Sequence, residues 1–318
     1  MATPADLTIR PRNIAFSTGD PAARWWLDGD PFATAFYNAL SVTFPQGERF
    51  FMDSVRRYRS EVDGDLAEQV GAFITQEALH TREHVAFNRQ VADHGYDVEA
   101  MEARTRRRLD FARTRPPILQ LGATIALEHF TAILAQALLA DPHHLAGASP
   151  SAAALWRWHA IEEVEHKAVA FDTFMVVAGR RHSAPRRWHM RVWTMVISTL
   201  LLFSVVSANM KDLLRQDGVT GWRAWRGTMR LLWTHPGLLR QILPAYLSYF
   251  RPGFHPWVHD DRALLKTRSA NWPRPIRKES PHDEPIELGP ADGRRRPDAA
   301  EPCGGAEFRR HRPVAHAR

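Results

Sequence analysis

Trp158-His159-Ala160-Ile161-Glu162-Glu163-Val164-Glu165-His166-Lys167 is the stretch on which the fold turns. Its pattern is helical, and residues three or four apart on a helix share one face. Glu163 and His166 therefore point the same way, and His159, four before Glu163, joins them. Glu162 and Glu165 compete for the role of Glu163, but only Glu163 lies three before His166. The same motif occurs 86 positions upstream as Glu77-x-x-His80, with His84 one turn further on. One Glu-x-x-His pair alone is weak, because chance matches are common in a chain of 318 residues.

Two more carboxylates give the pair its weight. Glu48 precedes the first motif by 29 residues, and Glu128 precedes the second by 35. The order Glu, Glu-x-x-His, Glu, Glu-x-x-His is what four consecutive antiparallel helices need to surround two metal ions. The expected fold is all-α: a ferritin-like four-helix bundle with additional C-terminal helices and a disordered tail. Four carboxylates on apolar helix faces would each carry a desolvation cost of several kcal/mol without a counter-charge. A metal pair supplies one; Arg49 or Lys167 would supply a weaker one. Hard oxygen donors with some imidazole suit iron first, with manganese or zinc as alternatives. The expected metal ligands are Glu48, Glu77, His80, Glu128, His159, Glu163 and His166. His84, Glu162 and Glu165 are the candidate catalytic groups, as general base or, for His84, as ligand, supporting group or proton shuttle. His129 points away from Glu128 and reads as structural, and Trp156 and Trp158 read as packing.

Around the motifs, turn signals in residues 1–30 suggest an arm pinned by Trp25 and Trp26. A helical pattern runs from Pro31 to about Arg59, with a break expected at Phe44-Pro45-Gln46-Gly47. Further helices are expected at Leu66–His94, capped by Gly95, at Val98–Arg113, at Ile118–Ala140 and at Ser151–Ala178. The metal-binding bundle thus spans 31–182, and a helical extension spans 183–262. Within the extension Val192–Ala208 is an uncharged apolar run of 17 residues behind a basic cluster. A full membrane span needs roughly 20 residues, with a lower limit near 17. Residues 188–210 therefore suit either a membrane surface or a helix packed on the bundle or on a second copy in a homodimer. Gly221–Phe250 reads as further helix broken at Pro236 and Pro244. From about Lys266 the chain turns polar and Pro-rich, so 263–318 is expected to be a disordered basic tail.

Composition narrows the setting. Cys303 is the only cysteine, which excludes an intrachain disulfide and a thiolate cluster. The N-terminal residues lack a secretory pattern, so a cytoplasmic setting is expected, at the inner face of the cell membrane if the apolar run makes contact. The net charge is +7 with a pI near 10. No zinc finger or RNA-binding signature accompanies it, which argues against nucleic acid as a partner.

Phe44-Pro-Gln-Gly-Glu48, the Glu77-x-x-His80-x-x-x-His84 helix and the Trp158–Lys167 string resemble the bacterial family of predicted metal-dependent hydrolases over roughly residues 10–250. The resemblance implies metal positions at Glu48, Glu77, His80, Glu128, Glu163 and His166. His159-x-x-x-Glu163-x-x-His166 is also similar to the last metal-binding element of di-iron arylamine N-oxygenases, where the extra histidine is a ligand. Two chemistries follow for a small, hydrophobic substrate. A hydrolase would use metal-activated water; a di-iron oxygenase or oxidase would need an electron donor as partner. A non-enzymatic metal-binding or membrane-associated protein is the third class.

Overall fold

The computed structural model describes residues 3, 4, 6–16, 23–234 and 236–270. Among them the chain is all-α, with no strand beyond an isolated bridge between Leu27 and Ala148. The helices are α1 (Pro31–Arg56), α2 (Gly64–Asp93), α3 (Val98–Arg113), α4 (Pro117–Ala140), α5 (Pro150–His166), α6 (Val169–Gly179), α7 (Ala184–Gln216), α8 (Gly221–Trp233), α9 (Leu238–Ser248) and α10 (Arg262–Ala270).

Local chemistry sets most helix ends. Asp30 caps α1 by accepting from the Phe32 and Ala33 amides, with Pro31 in the first turn. Gly95, at φ +85°, follows α2 in the left-handed conformation that closes a helix C-terminus. Prolines open α4, α5 and α7. Helix α1 packs on α2, α3 and α7, and α4 packs on α5, α6, α7 and α9. Phe50, Phe73, Trp158 and Phe174 are fully buried between these layers.

Several boundaries differ from expectation. The break at Phe44–Gly47 is absent, and Pro45 lies inside a continuous α1. Proline has no amide hydrogen, so the Ser41 carbonyl loses its helical donor. The Asn88 side-chain amide of α2 donates to that carbonyl instead, at 3.1 Å. The last helix of the expected bundle ends at His166 and restarts as α6 at Val169. Between them Lys167 turns to Asp261, 2.5 Å away, and to the His259 carbonyl. Pro244 sits within α9 rather than ending it, and α7 exceeds the apolar run at both ends. Helix α10 continues past Lys266 to Ala270, where disorder was expected; the rest of the expected tail lies outside the described residues.

The N-terminal arm lies along α2 and α5. The Phe16 amide donates to Glu83 at 2.8 Å, and the Phe16 ring meets Trp158 at 5.3 Å. Trp26 pins the next stretch, buried and donating to Asn38, whereas Trp25 is exposed. Among the described residues two helices, α4 and α7, are long and apolar enough to cross a membrane; the apolar window of α4 is 67% buried and that of α7 only 33%. Helix α4 is therefore a core helix, and α7 keeps a bare face.

Candidate metal centre

Helix spacing brings the motif residues to one place. Glu48 comes from α1, Glu77, His80 and His84 from α2, Glu128 from α4, and His159, Glu163 and His166 from α5, all buried. His166 Nε2 lies 3.2 Å from Glu77 Oε1, 3.5 Å from Glu128 Oε2 and 3.6 Å from Glu163 Oε2. His80 Nδ1 lies 3.6 Å from both Glu77 Oε1 and Glu163 Oε1. His159 Nε2 is 2.8 Å from Glu163 Oε1. Glu48, Glu77 and His80 form a further group whose donor atoms lie within 4.8 Å of one another.

Most of these donor atoms have no hydrogen-bond partner. Glu48 Oε1, both oxygens of Glu77 and of Glu128, His80 Nδ1, Glu163 Oε2 and His166 Nε2 are buried and unpartnered. Buried polar groups in folded proteins are almost always paired, and a cluster of orphans is expensive. The counter-charges considered from sequence are elsewhere: Arg49 is exposed and Lys167 is engaged by Asp261. A donor set of four carboxylates and three imidazoles, spaced like ligands around shared cations, fits metal ions.

Electrostatics agree. Burial holds the carboxyls of Glu48, Glu77 and Glu128 well above the usual carboxylate range, and neighbouring glutamates push them further. Burial acts the same way on Glu163, but His166 and His159 outweigh it and hold that carboxyl well below its usual range. Burial pulls His80 down, yet Glu162 with Glu163 and Glu48 leaves it raised. Burial and then His80 push His159 down to about 4. Burial and then His159 lower His84 strongly. Four carboxyls at one point cannot all ionise unless a cation joins them.

The imidazoles are oriented from behind. Glu162 Oε2 faces His80 Nε2 at 3.1 Å, so the proton sits there and Nδ1 turns its lone pair inward. Gln76 Oε1 accepts from His166 Nδ1 at 3.0 Å and frees Nε2 in the same way. Arg12 of the arm then binds the carboxylates behind: its guanidinium reaches Glu162 at 3.2 Å and Glu165 at 2.5 Å. Gln76 Nε2 also donates to Glu165. Glu162 and Glu165, considered from sequence as general bases, thus have all their carboxylate oxygens engaged away from the unpartnered cluster.

His84 is engaged as well. Asn88 Nδ2 donates to the Ser41 carbonyl, so Asn88 Oδ1 accepts from Ser41 Oγ at 2.6 Å. Ser41 Oγ then accepts from His84 Nδ1 at 2.9 Å, which leaves His84 Nε2 as an acceptor for His159 Nδ1 at 2.6 Å. His159 Nε2 then faces an oxygen of Glu163 at 2.8 Å, within hydrogen-bond distance, so the two share a proton unless a metal ion beside them takes both. The Glu48–His84–His159 grouping is weaker as a site, since 2.6 Å between two imidazole nitrogens is a hydrogen bond and not the spacing of two ligands. His129 instead meets the Ala245 carbonyl and the Tyr249 ring.

Sequence reasoning missed Arg12, Gln76, Asn88, Ser41 and Thr81, which donates to Glu48 at 2.8 Å. Gln76, His80, His84 and Asn88 are spaced by four, so extending the α2 face one turn each way would have found two of them. Arg12 carries no local signal.

An apolar cavity of about 290 Å³ between α1, α3, α4 and α7 reaches Glu48. Phe44, Phe51, Leu109, Leu127 and Leu201 are among its walls, and exposed Arg108, Phe111, Arg115 and Ile197 mark its mouth. Residues 10–260 match the family model described as predicted metal-dependent hydrolase. No curated protein and no solved structure matches the chain.

Proposed function

The chain belongs to the predicted metal-dependent hydrolase family, and from that premise we propose that it is a di-metal carboxylate enzyme acting on a small apolar substrate. The observation that carries this is the cluster of unpartnered buried donors shared by four helices. Glu48, Glu77, His80, Glu128, His159, Glu163 and His166 would hold the ions, in the ligand order of ferritin-like bundles. Iron is the first candidate and manganese or zinc the alternatives. Bound there, the ions supply Lewis acidity for a polarised water or substrate and, if iron, redox equivalents for dioxygen.

The chain's own residues do the rest. Gln76 and Glu162 hold the tautomers of His166 and His80. His84 holds that of His159. Arg12 holds the carboxylates of Glu162 and Glu165 in place. Hydrocarbon walls from Phe44 to Leu201 bind the substrate and exclude water beside Glu48.

Oxygen chemistry is the second reading, and the cavity favours it. Its only lining cations, among the described residues, are at the exposed mouth, so the floor near Glu48 offers no cationic side chain for the oxyanion of acyl hydrolysis. Metal analysis of protein purified without chelator tests the common core: about two ions per chain are expected. Near-zero metal with a melting point unmoved by chelator would refute both readings. A transient absorbance on mixing the ferrous protein with dioxygen would select the second. Chelator-sensitive ester or amide cleavage without that band would select the first.

A further inference from the structure

Helix α7 is finished on one face only. Met195, Ser198, Val205, Asn209 and Met210 are buried, and the helix packs on α1 and α4. Trp193, Ile197, Leu200 and Phe203 are bare, at spacings of four, three and three, which makes one stripe. Trp193 is 62% exposed and Leu200 67%, far outside what an uncommitted surface tolerates as a contiguous apolar band.

Helix α8 extends the surface. Trp222 and Trp225 are 68% and 54% exposed and stack on each other at 4.5 Å. Arg223, Arg226 and Arg230 project between and beyond them, all exposed. Phe203, Trp225 and Trp233 line one open apolar hollow of about 580 Å³, so the α7 stripe and the α8 face are continuous.

Charge says what covers this surface. Residues 173–259 contain twelve Arg or Lys and two acids, Asp212 and Asp217. Both acids are paired with arginines of other segments: Asp212 with Arg104 at 2.5 Å and Asp217 with Arg24 at 2.8 Å. A second copy would meet this cationic face with the same charge across a two-fold axis, which repels. A bilayer with anionic headgroups meets both features: indole rings settle at the interface, and guanidinium groups bind lipid phosphates.

We propose that the α7–α8 surface docks on an anionic phospholipid bilayer, with Trp193, Leu200, Trp222 and Trp225 entering the interface and Arg223, Arg226 and Arg230 meeting the phosphates. Ile197 belongs both to the stripe and to the mouth of the cavity that reaches Glu48, so docking brings that mouth to the lipid. The docking stands or falls independently of the metal site.

Vesicle co-sedimentation of the full chain tests it, with phosphatidylcholine alone and mixed with phosphatidylglycerol. Binding to the mixed vesicles, weakened by salt, is expected. Removing two headgroup-facing charges in R223A/R226A should lower the partition coefficient on the order of twenty-fold. W222A/W225A should lower it roughly tenfold and abolish the part of tryptophan quenching by brominated lipid that these rings supply. These side chains are exposed, so unchanged melting curves are expected to accompany the losses. Arginines near the C-terminus provide the internal control: if both double variants bind like the parent, those arginines do the binding and the proposal is overturned. A concentration-dependent dimer, lost in W222A/W225A and without vesicle binding in the parent, would overturn it in favour of a second copy.

Discussion

Replacing Glu77 with glutamine should stabilise the metal-free protein and destabilise the metal-loaded one. Both carboxylate oxygens of Glu77 are buried without a partner. Burial, and then the charges of Glu163 and Glu162, hold its carboxyl well above the usual range. Without metal at neutral pH the protein must bury either that charge or an energetically forced proton. An isosteric amide needs neither, and relief of about 1–3 kcal/mol is expected. That corresponds to a melting point higher by roughly 2–6 °C. With metal bound the carboxylate is ionised and compensated, and glutamine cannot replace its charge. A hundredfold weaker metal affinity would remove about 2.7 kcal/mol of linked stability at the same free metal. Calorimetric melting of parent and E77Q, chelated and metal-loaded, measures both signs, with metal content determined in parallel. The rival account makes Glu77 the ion-pair partner of His166, 3.2 Å away. Breaking a buried pair costs about 3–5 kcal/mol whether or not metal is present. A lower melting point for chelated E77Q would therefore refute the reasoning.

The metal-free protein should also lose stability as pH rises above the ordinary carboxyl value of 4.5. Glu48, Glu77 and Glu128 have folded pKa values raised above the ordinary 4.5. The native state then holds more protons than the unfolded one, and stability falls as pH climbs through the raised values. His159, lowered from 6.5 to about 4, acts on the acid side, where stability falls as pH drops from 6.5 toward 4. Urea melts of chelated and metal-loaded protein at rising pH should diverge, with the chelated protein losing more stability as pH climbs above 4.5; parallel profiles would contradict the placement of these carboxyls. R12A removes the cation behind Glu162 and Glu165 and should cost ~3 kcal/mol in stability. It should also weaken metal binding about 10–100-fold by loosening His80, measured by competition with a chromophoric chelator; parent-like affinity would argue against that support. A123F projects a ring into the cavity beside Glu48 and should cut turnover of apolar substrates at least roughly tenfold, with metal content unchanged; undiminished turnover would exclude this cavity as the substrate site.

The fold was legible wherever hydrophobic period and capping chemistry agreed. The start of α1 at Pro31 and the end of α2 before Gly95 are local signals and appear where expected, and α4 opens at Pro117, one residue before the expected Ile118. The misses come from tertiary rescue. Pro45 should end a helix on local grounds, but a side chain from α2 satisfies the carbonyl it orphans. The interruption between α5 and α6 falls at Lys167-Ala168, with no Gly or Pro to mark it. Its visible partner, Asp261, lies 94 positions downstream, beyond the reach of any window along the chain.

The residues converging on the centre were legible because helix geometry fixes which positions share a face; their support was not, because it arrives from other segments. The chain of contacts through Pro45 illustrates how far that support reaches. A proline deprives Ser41 of its helical donor, and the freed carbonyl fixes which way the Asn88 amide turns. Asn88 then claims the Ser41 hydroxyl proton, which leaves that oxygen to accept from His84. His84 accepts in turn from His159, and His159 Nε2 faces Glu163. Each step as far as His159 Nδ1 has one donor and one acceptor, so reversing any of them would leave a buried orphan at a cost of about 1–3 kcal/mol. The helix-breaking residue inside α1 thus sets the tautomer of an imidazole on α5, and the apparent flaw in the helix is part of how His159 Nε2 comes to face Glu163.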